Sequence, residues 1–280
     1  MKKIVWADLV NQEQASTLKG QGEVIEEFTM PQLDRERRIW VYLPPEYEVS
    51  AQSYPVFYMH DGQNLFDRSA SYDGEWEVDE TLNQLFAGGE TDGIIVVGID
   101  CDPECRRDEY SPWERILVEQ GGEGNEYLDF LIDTLKPYID ENYRTLPARE
   151  HTGIGGSSMG GFISLYGGLK YQEVFSKIAA FSPAIFFHPD KLDDFIRRQG
   201  KQGWMKIYLD VGTTENLVID GEYEIDNQDY INDVRRVYNL LHKVGFTEKE
   251  LKLVEAEGHE HHEDYWRVRF PEAFLWLFEE

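Results

Sequence analysis

The run Gly156-Ser157-Ser158-Met159-Gly160-Gly161 stands between a short apolar stretch and an apolar segment of helical character. Centred on Ser158, the spacing Gly-x-Ser-x-Gly fits a sharp strand-to-helix turn that lifts a serine hydroxyl to where a base can reach it. Such a hydroxyl is a weak nucleophile until a base takes its proton, and the base in turn needs an orienting acid. In a fold of this kind the acid follows a later strand and the histidine follows the last one. The strand-like run 206–211 leads into Gly212-Thr213-Thr214-Glu215-Asn216, and the final run leads into Glu257-Gly258-His259-Glu260-His261-His262-Glu263. Glu215, in the loop beyond its strand, is the expected acid. Asp210, inside the strand, is the alternative. His259, His261 and His262 share one loop, and periodicity does not choose between them. A cluster of histidines can also bind metal, but no second group of suitable ligands accompanies this one, so no metal and no cofactor is expected. The developing oxyanion needs a pair of backbone N–H donors. One is expected from Met159, after the nucleophile, and one from Gln63, where Gly62 permits a tight bend after the run 54–59.

The elements that must position these groups alternate along the chain. Glu23 to Phe28 and Arg37 to Leu43 read as two strands, the second stopped by Pro44-Pro45. Buried strands are expected at 54–59, 93–99, 151–155, 177–181, 206–211 and 251–254. Helices are expected at 78–86, 125–143, 190–198, 229–244 and 265–278. Apolar runs of strand length alternating with amphipathic helices imply an α/β fold: a mainly parallel sheet covered by helices on both faces, with the opening hairpin as an antiparallel edge. Residues 1–21 read as a polar, peripheral arm, a short helix or a loose segment, and 22–280 as a single domain with no internal repeat. In such sheets functional groups gather beyond the carboxyl ends of the strands, which is where every candidate above lies.

The chain has 280 residues and a formal net charge of −27. That charge repels nucleic acid and anionic membrane surfaces, so neither is an expected partner. Cys101 and Cys105 are too few for a disulfide framework and read as free thiols. Asp8 and the polar residues after Val10 leave no apolar core for a signal peptide, and no stretch approaches a membrane span, so a cytoplasmic location is the default. The acidic segment 220–229 departs from the calcium-loop pattern and reads as a solvated lid or insertion. The sequence leaves room for a homo-oligomer.

Four motifs together resemble one family: Tyr58-Met59-His60-Asp61-Gly62-Gln63-Asn64-Leu65-Phe66-Asp67, the serine turn, Gly212-Thr213-x-Glu215 and His261-x-Glu263-x-x-Trp266. The chain is similar over about residues 22–280 to the putative esterase family, the esterase D and feruloyl esterase-like branch of the α/β-hydrolases. The resemblance implies a single-domain α/β-hydrolase with Ser158 as nucleophile. It places the base on His261, five residues before the tryptophan, and the acid on Glu215, where related enzymes often carry Asp. It brings Arg107, Tyr110 and Trp113 near the site, and Asn64, Trp76 and Phe186 are further candidate substrate contacts. The expected activity is hydrolysis of a small-molecule acyl ester, of a carbohydrate or a phenolic acid, through an acyl-enzyme. Acyl transfer and a catalytically silent binding role are the alternatives.

Overall fold

The computed structural model describes residues 1–12, 16–115, 120–219 and 223–279. Its strands are β1 (Lys2–Val5), β2 (Gln21–Met30), β3 (Arg35–Leu43), β4 (Val56–His60), β5 (Ile95–Ile99), β6 (Thr152–Ser157), β7 (Lys177–Phe181), β8 (Lys206–Gly212), the short pair β9 (Val218–Ile219) and β10 (Tyr223–Glu224), and β11 (Leu251–Ala256). One nine-stranded sheet runs in the order β1-β2-β3-β5-β4-β6-β7-β8-β11. From β5 through β4, β6, β7 and β8 to β11 every pairing is parallel, while β1, β2 and β3 make the antiparallel edge.

The helices are α1 (Trp6–Gln12), α2 (Val78–Ala87), α3 (Arg106–Glu109), α4 (Gly124–Phe130), α5 (Lys136–Asn142), α6 (Met159–Lys170), α7 (Pro189–Gln199), α8 (Asn227–Lys243) and α9 (Glu263–Phe278). The fully buried run of β4 shows why a central strand lacks alternation in its sequence. Its Val56 and Tyr58 join the core that holds Phe162 of α6 and Val237 of α8, while Phe57 and Met59 join the one that holds Leu82 of α2 and Phe274 of α9. Both faces are apolar because both are covered.

Two expectations change. The opening stretch does hold a short helix, α1, but its described residues are not peripheral: β1 pairs with β2 from Lys2 opposite Glu26 to Val5 opposite Glu23, and Trp6 is buried against Trp40, Tyr42 and Phe66. The stretch after α1 is tied down as well, the Thr17 hydroxyl donating to Glu75 and the Lys19 N–H to Asp79. The polar exterior of β1 reflects its place at the sheet edge, where one turn of Trp6 supplies the anchor. The helix expected over 125–143 is interrupted by a π segment, Leu131–Leu135, directly before Pro137. Proline has no N–H to return to the preceding turn, which leaves the local hydrogen-bond register free to widen there. Of the acidic segment, 220–222 lie outside the described residues. Asp226 caps α8, accepting from the Gln228 and Asp229 N–H groups, a helix-starting role.

Candidate active site

β6 ends at Ser157, and the next residue carries the turn. Ser158 has φ 56° and ψ −121°, a conformation disfavoured for any residue with a Cβ. Its N–H donates to the Phe181 carbonyl of β7, and its own carbonyl accepts from Phe162 and Ala184. The strained residue is therefore fastened on three sides. The glycines of the motif serve close approach: a Cβ on Gly156 would stand 3.0 Å from the Gly160 carbonyl carbon, and one on Gly160 would stand 3.1 Å from Asp61 and from His60. Met159 is the first residue of α6, so its N–H has no partner within the helix and points out at the end where the helix dipole favours negative charge.

Gln63 lies in a single 3-10 turn, Gly62–Asn64, beyond the end of β4. Its side chain is pinned, accepting the Cys101 N–H at 3.0 Å and donating to the Cys101 sulfur at 3.3 Å. Asp61, which begins this turn at φ 57°, is held by a two-pronged ion pair with Arg106, both contacts at 2.8 Å. Burial would push the Asp61 carboxyl up, but the Arg106 guanidinium outweighs it and holds the group below its ordinary value.

Beyond β8, Glu215 is 2% exposed and its carboxylate is fully engaged. Oε2 faces His261 Nδ1 at 2.5 Å, and Oε1 accepts from the Ser182 hydroxyl at 2.7 Å and the Gly212 N–H at 2.5 Å. Burial alone would raise its pKa, yet these three donors, His261 foremost, hold it below the usual carboxylate value. The acid and histidine loops are laced together by their backbones: Thr213 N–H donates to Ala256, Thr214 N–H to His259, and His261 N–H to Glu215. A Cβ on Gly212 would fall 2.1 Å from the His259 carbonyl oxygen, so only glycine allows this approach.

Ser158, Met159, Gln63 and His261 all line one cavity of about 750 Å³ at the carboxyl ends of the central strands. Phe186, Phe187, Leu217 and Val218 supply its apolar wall; Asp73, Glu104, Arg106, Arg107 and Arg115 make the rest strongly polar. Such a cavity combines a hydroxyl on a strained turn, an imidazole oriented by a buried carboxylate, and N–H groups at a helix start.

A profile of the putative esterase family matches residues 30–277 of the chain. The chain belongs to that family. Among relatives of this esterase, YbbA of Bacillus subtilis (strain 168), described only as uncharacterized, is 28% identical over 247 residues, covering 86% of this chain and 92% of its own. In fold it resembles the enterobactin esterase FES from Shigella flexneri, with a TM-score of 0.74 and 17% identity over 95% of this chain. It spans 60% of that enzyme's length. A ferulic acid esterase from Anaeromyces mucronatus, solved with ferulic acid, gives a TM-score of 0.63 and 21% identity over 92% of this chain and 90% of its own.

The other candidates separate by position. His259 is turned away from Glu215: its Nδ1 faces Arg269 at 3.3 Å, and partial burial with that cation lowers its pKa. His262 caps α9, accepting the Asp264 N–H. Asp210 is buried in an ion pair with Arg269 at 2.8 Å and also accepts the Ser182 N–H; burial pushes its carboxyl up to about 6 against the pull of that arginine. Asn64 lines the cavity, but its side chain is committed to Glu263 and to the Tyr72 N–H. Arg107 and Phe186 line it too. Trp76, Tyr110 and Trp113 do not. Trp76 packs edge-on against Phe181 in the core; the Tyr110 hydroxyl accepts the Asp61 N–H from behind; and Trp113 is wedged among Phe162, Tyr166 and Phe195. Aromatic residues in loops read alike as pocket wall and as anchor, and here the anchoring role prevails.

Three participants escaped the sequence reading. Arg106, neighbour to the expected Arg107, is the residue that grips Asp61. Ser182 donates to Glu215. Glu263, inside the motif that singled out His261, is a buried cavity residue whose carboxyl burial pushes up to about 7. The His-Asp-Gly run paired with a later Arg-Arg is the local signal for Arg106, and the His-x-Glu-x-x-Trp pattern the one for Glu263; Ser182 has none. Among the described residues no helix is long and apolar enough to cross a membrane.

Proposed function

We propose that this protein is a serine carboxylesterase. The observation that carries the reading is the short His261–Glu215 hydrogen bond opening onto the same cavity as the strained Ser158 turn. With Nδ1 protonated and committed to Glu215, the imidazole keeps its Nε2 lone pair for the serine proton. Ser158 Oγ attacks the ester carbonyl as His261 takes that proton, and the N–H groups of Met159 and Gln63 receive the oxyanion. Collapse expels the alcohol, which His261 protonates. Water activated by the same imidazole then attacks the acyl-enzyme, releases the acid and regenerates Ser158.

The cavity suits an ester with an apolar or aromatic acyl group, such as that of a phenolic acid, and a hydroxyl-rich alcohol, because an apolar wall adjoins a dense set of charged and polar groups. The relatives of similar fold named for enterobactin and ferulic acid agree with an acyl ester of a carbohydrate or phenolic acid as the substrate class. The test is a fluorophosphonate label followed by peptide mapping, with a panel of acetyl, butyryl and feruloyl esters. The reading expects an adduct on Ser158 and turnover of at least one ester. Folded protein that takes no label and hydrolyses none would refute it. Glycerol added to the same assay separates transfer from hydrolysis by the product formed.

A further inference from the structure

The hydrogen bonds that orient the base continue past Glu215. Ser182, the residue after β7, is fully buried with φ 40°. Its hydroxyl oxygen accepts from Arg269 Nη2 at 2.9 Å and from Trp266 Nε1 at 3.1 Å, and it donates to Glu215 Oε1 at 2.7 Å. A hydroxyl has two lone pairs and one proton. With both lone pairs occupied by groups that only donate, the proton has one destination, the carboxylate. The backbone of Ser182 is equally committed: its N–H meets Asp210, and its carbonyl accepts the Tyr230 hydroxyl at 2.6 Å. Arg269 is itself fixed by Asp210 through contacts at 2.8 Å and 3.2 Å.

We propose that Ser182 is a positioning residue for the acid–base pair, and that the buried Arg269–Asp210 ion pair together with Trp266 sets the direction of its proton. This rests on the serine esterase reading. Ser182 holds Glu215 Oε1 so that Oε2 is presented to His261 Nδ1, and it helps keep the carboxylate ionised where burial opposes ionisation. It also gives Trp266 a function: the indole both packs edge-on against the His261 ring, centroids 5.0 Å apart, and steadies the serine that steadies the acid. Charges balance across the group, Arg269 offsetting Asp210 and the imidazolium of the transition state offsetting Glu215.

The experiment compares Ser182→Ala and Trp266→Phe with the wild type. Ester kinetics against pH are combined with the low-field proton resonance of the His261 Nδ1–H. Ser182→Ala should lower kcat about tenfold to hundredfold with KM little changed, since a buried hydrogen bond to a charged group is lost. With one donor fewer, Glu215 binds the imidazole proton more strongly. The acid limb of kcat/KM should therefore move to higher pH, and the low-field resonance should shift. Trp266→Phe removes the N–H together with the five-membered ring but keeps an aromatic ring beside His261 and leaves the Ser182 hydroxyl in place, so both changes should go the same way and be smaller. A folded Ser182→Ala protein with kcat within about twofold of wild type and an unmoved limb and resonance would overturn the proposal. If that variant does not fold, unmoved values in Trp266→Phe overturn it. A wild type that neither turns over nor labels, while its resonance still moves on substitution, refutes the esterase reading and leaves the positioning role standing.

Discussion

Glu215→Gln is the substitution whose outcome the geometry constrains most tightly. The carboxylate meets one donor at Oε2, His261 Nδ1, and two at Oε1, the Ser182 hydroxyl and the Gly212 N–H. A glutamine amide offers one oxygen and one NH2. The oxygen must take the Oε1 side, because the Gly212 N–H is fixed in the backbone and the Ser182 proton has no other acceptor. The NH2 is then driven against His261 Nδ1, which must offer a lone pair in return. That moves the imidazole proton to Nε2, the nitrogen that has to accept from Ser158, and removes the anion opposite the developing imidazolium. Loss of both functions in a comparable triad lowers kcat by about 10⁴, which is roughly 5.5 kcal/mol at about 1.36 kcal/mol per decade. Glu215 lies behind the imidazole and does not line the cavity, so KM should stay put. Steady-state hydrolysis of a p-nitrophenyl ester with the melting temperature as folding control measures this, and the rate of fluorophosphonate labelling gives an independent reading of nucleophilicity. Retention of kcat within about tenfold, or a loss expressed in KM, would refute the tautomer argument and return attention to Asp210.

Three further outcomes are expected. Ser158→Ala should abolish labelling and nearly all turnover while leaving circular dichroism unchanged, and His261→Ala should cost far more activity than His259→Ala; the reverse ranking in parallel assays would move the base to His259. Glu263→Gln should change how stability depends on pH: burial raises the carboxyl from 4.5 to about 7, so its contribution is intact below 4.5 and is lost as pH rises through 7. Urea unfolding at pH 5 and pH 8 should therefore show the wild type losing on the order of 2 kcal/mol relative to that variant. Asp79→Asn should stabilise the protein relative to wild type at neutral and higher pH, because burial and the adjacent Glu80 raise the Asp79 carboxyl to about 9, so its contribution is full below 3.8, declines from there and is gone once pH passes the folded value; a lower melting temperature at pH 8 would contradict this.

What could be read from the chain follows from how local each cause is. Strand β7 was legible to the residue because the apolar run Ile178-Ala179-Ala180-Phe181 follows Lys177 after a turn and is closed by Ser182-Pro183. The serine turn was legible because its spacing of glycines about Ser158 is itself the pattern of a strand-to-helix corner, although those glycines also make room for His60 and Asp61, distant in sequence. Periodicity did not separate His261 from His259, and only the family's His-x-Glu-x-x-Trp pattern favoured it; in the structure what separates them is Arg269, ten residues on from His259 and facing it, and Glu215, 46 residues back from His261 and facing it. Ser182, Asp210 and Arg269 meet from β7, β8 and α9, and nothing in their neighbourhoods announces it. Trp6 likewise lies in a short apolar patch, Ile4-Val5-Trp6-Ala7, whose partners are not local: it is buried by β2, β3 and the Phe66 loop.

The lacing of the loop after β8 to the loop after β11 has a wider consequence. Glu215 and His261 sit on loops fastened to each other by main-chain bonds, with Gly212 allowing the close approach, whereas Leu217 and Val218, part of the cavity's apolar wall, sit on the hairpin that leaves this seam immediately afterwards. On the proposed mechanism, proton transfer and molecular selection would be carried by adjoining but mechanically distinct stretches of chain. A descendant can redraw the hairpin to admit a new guest and inherit the old engine intact.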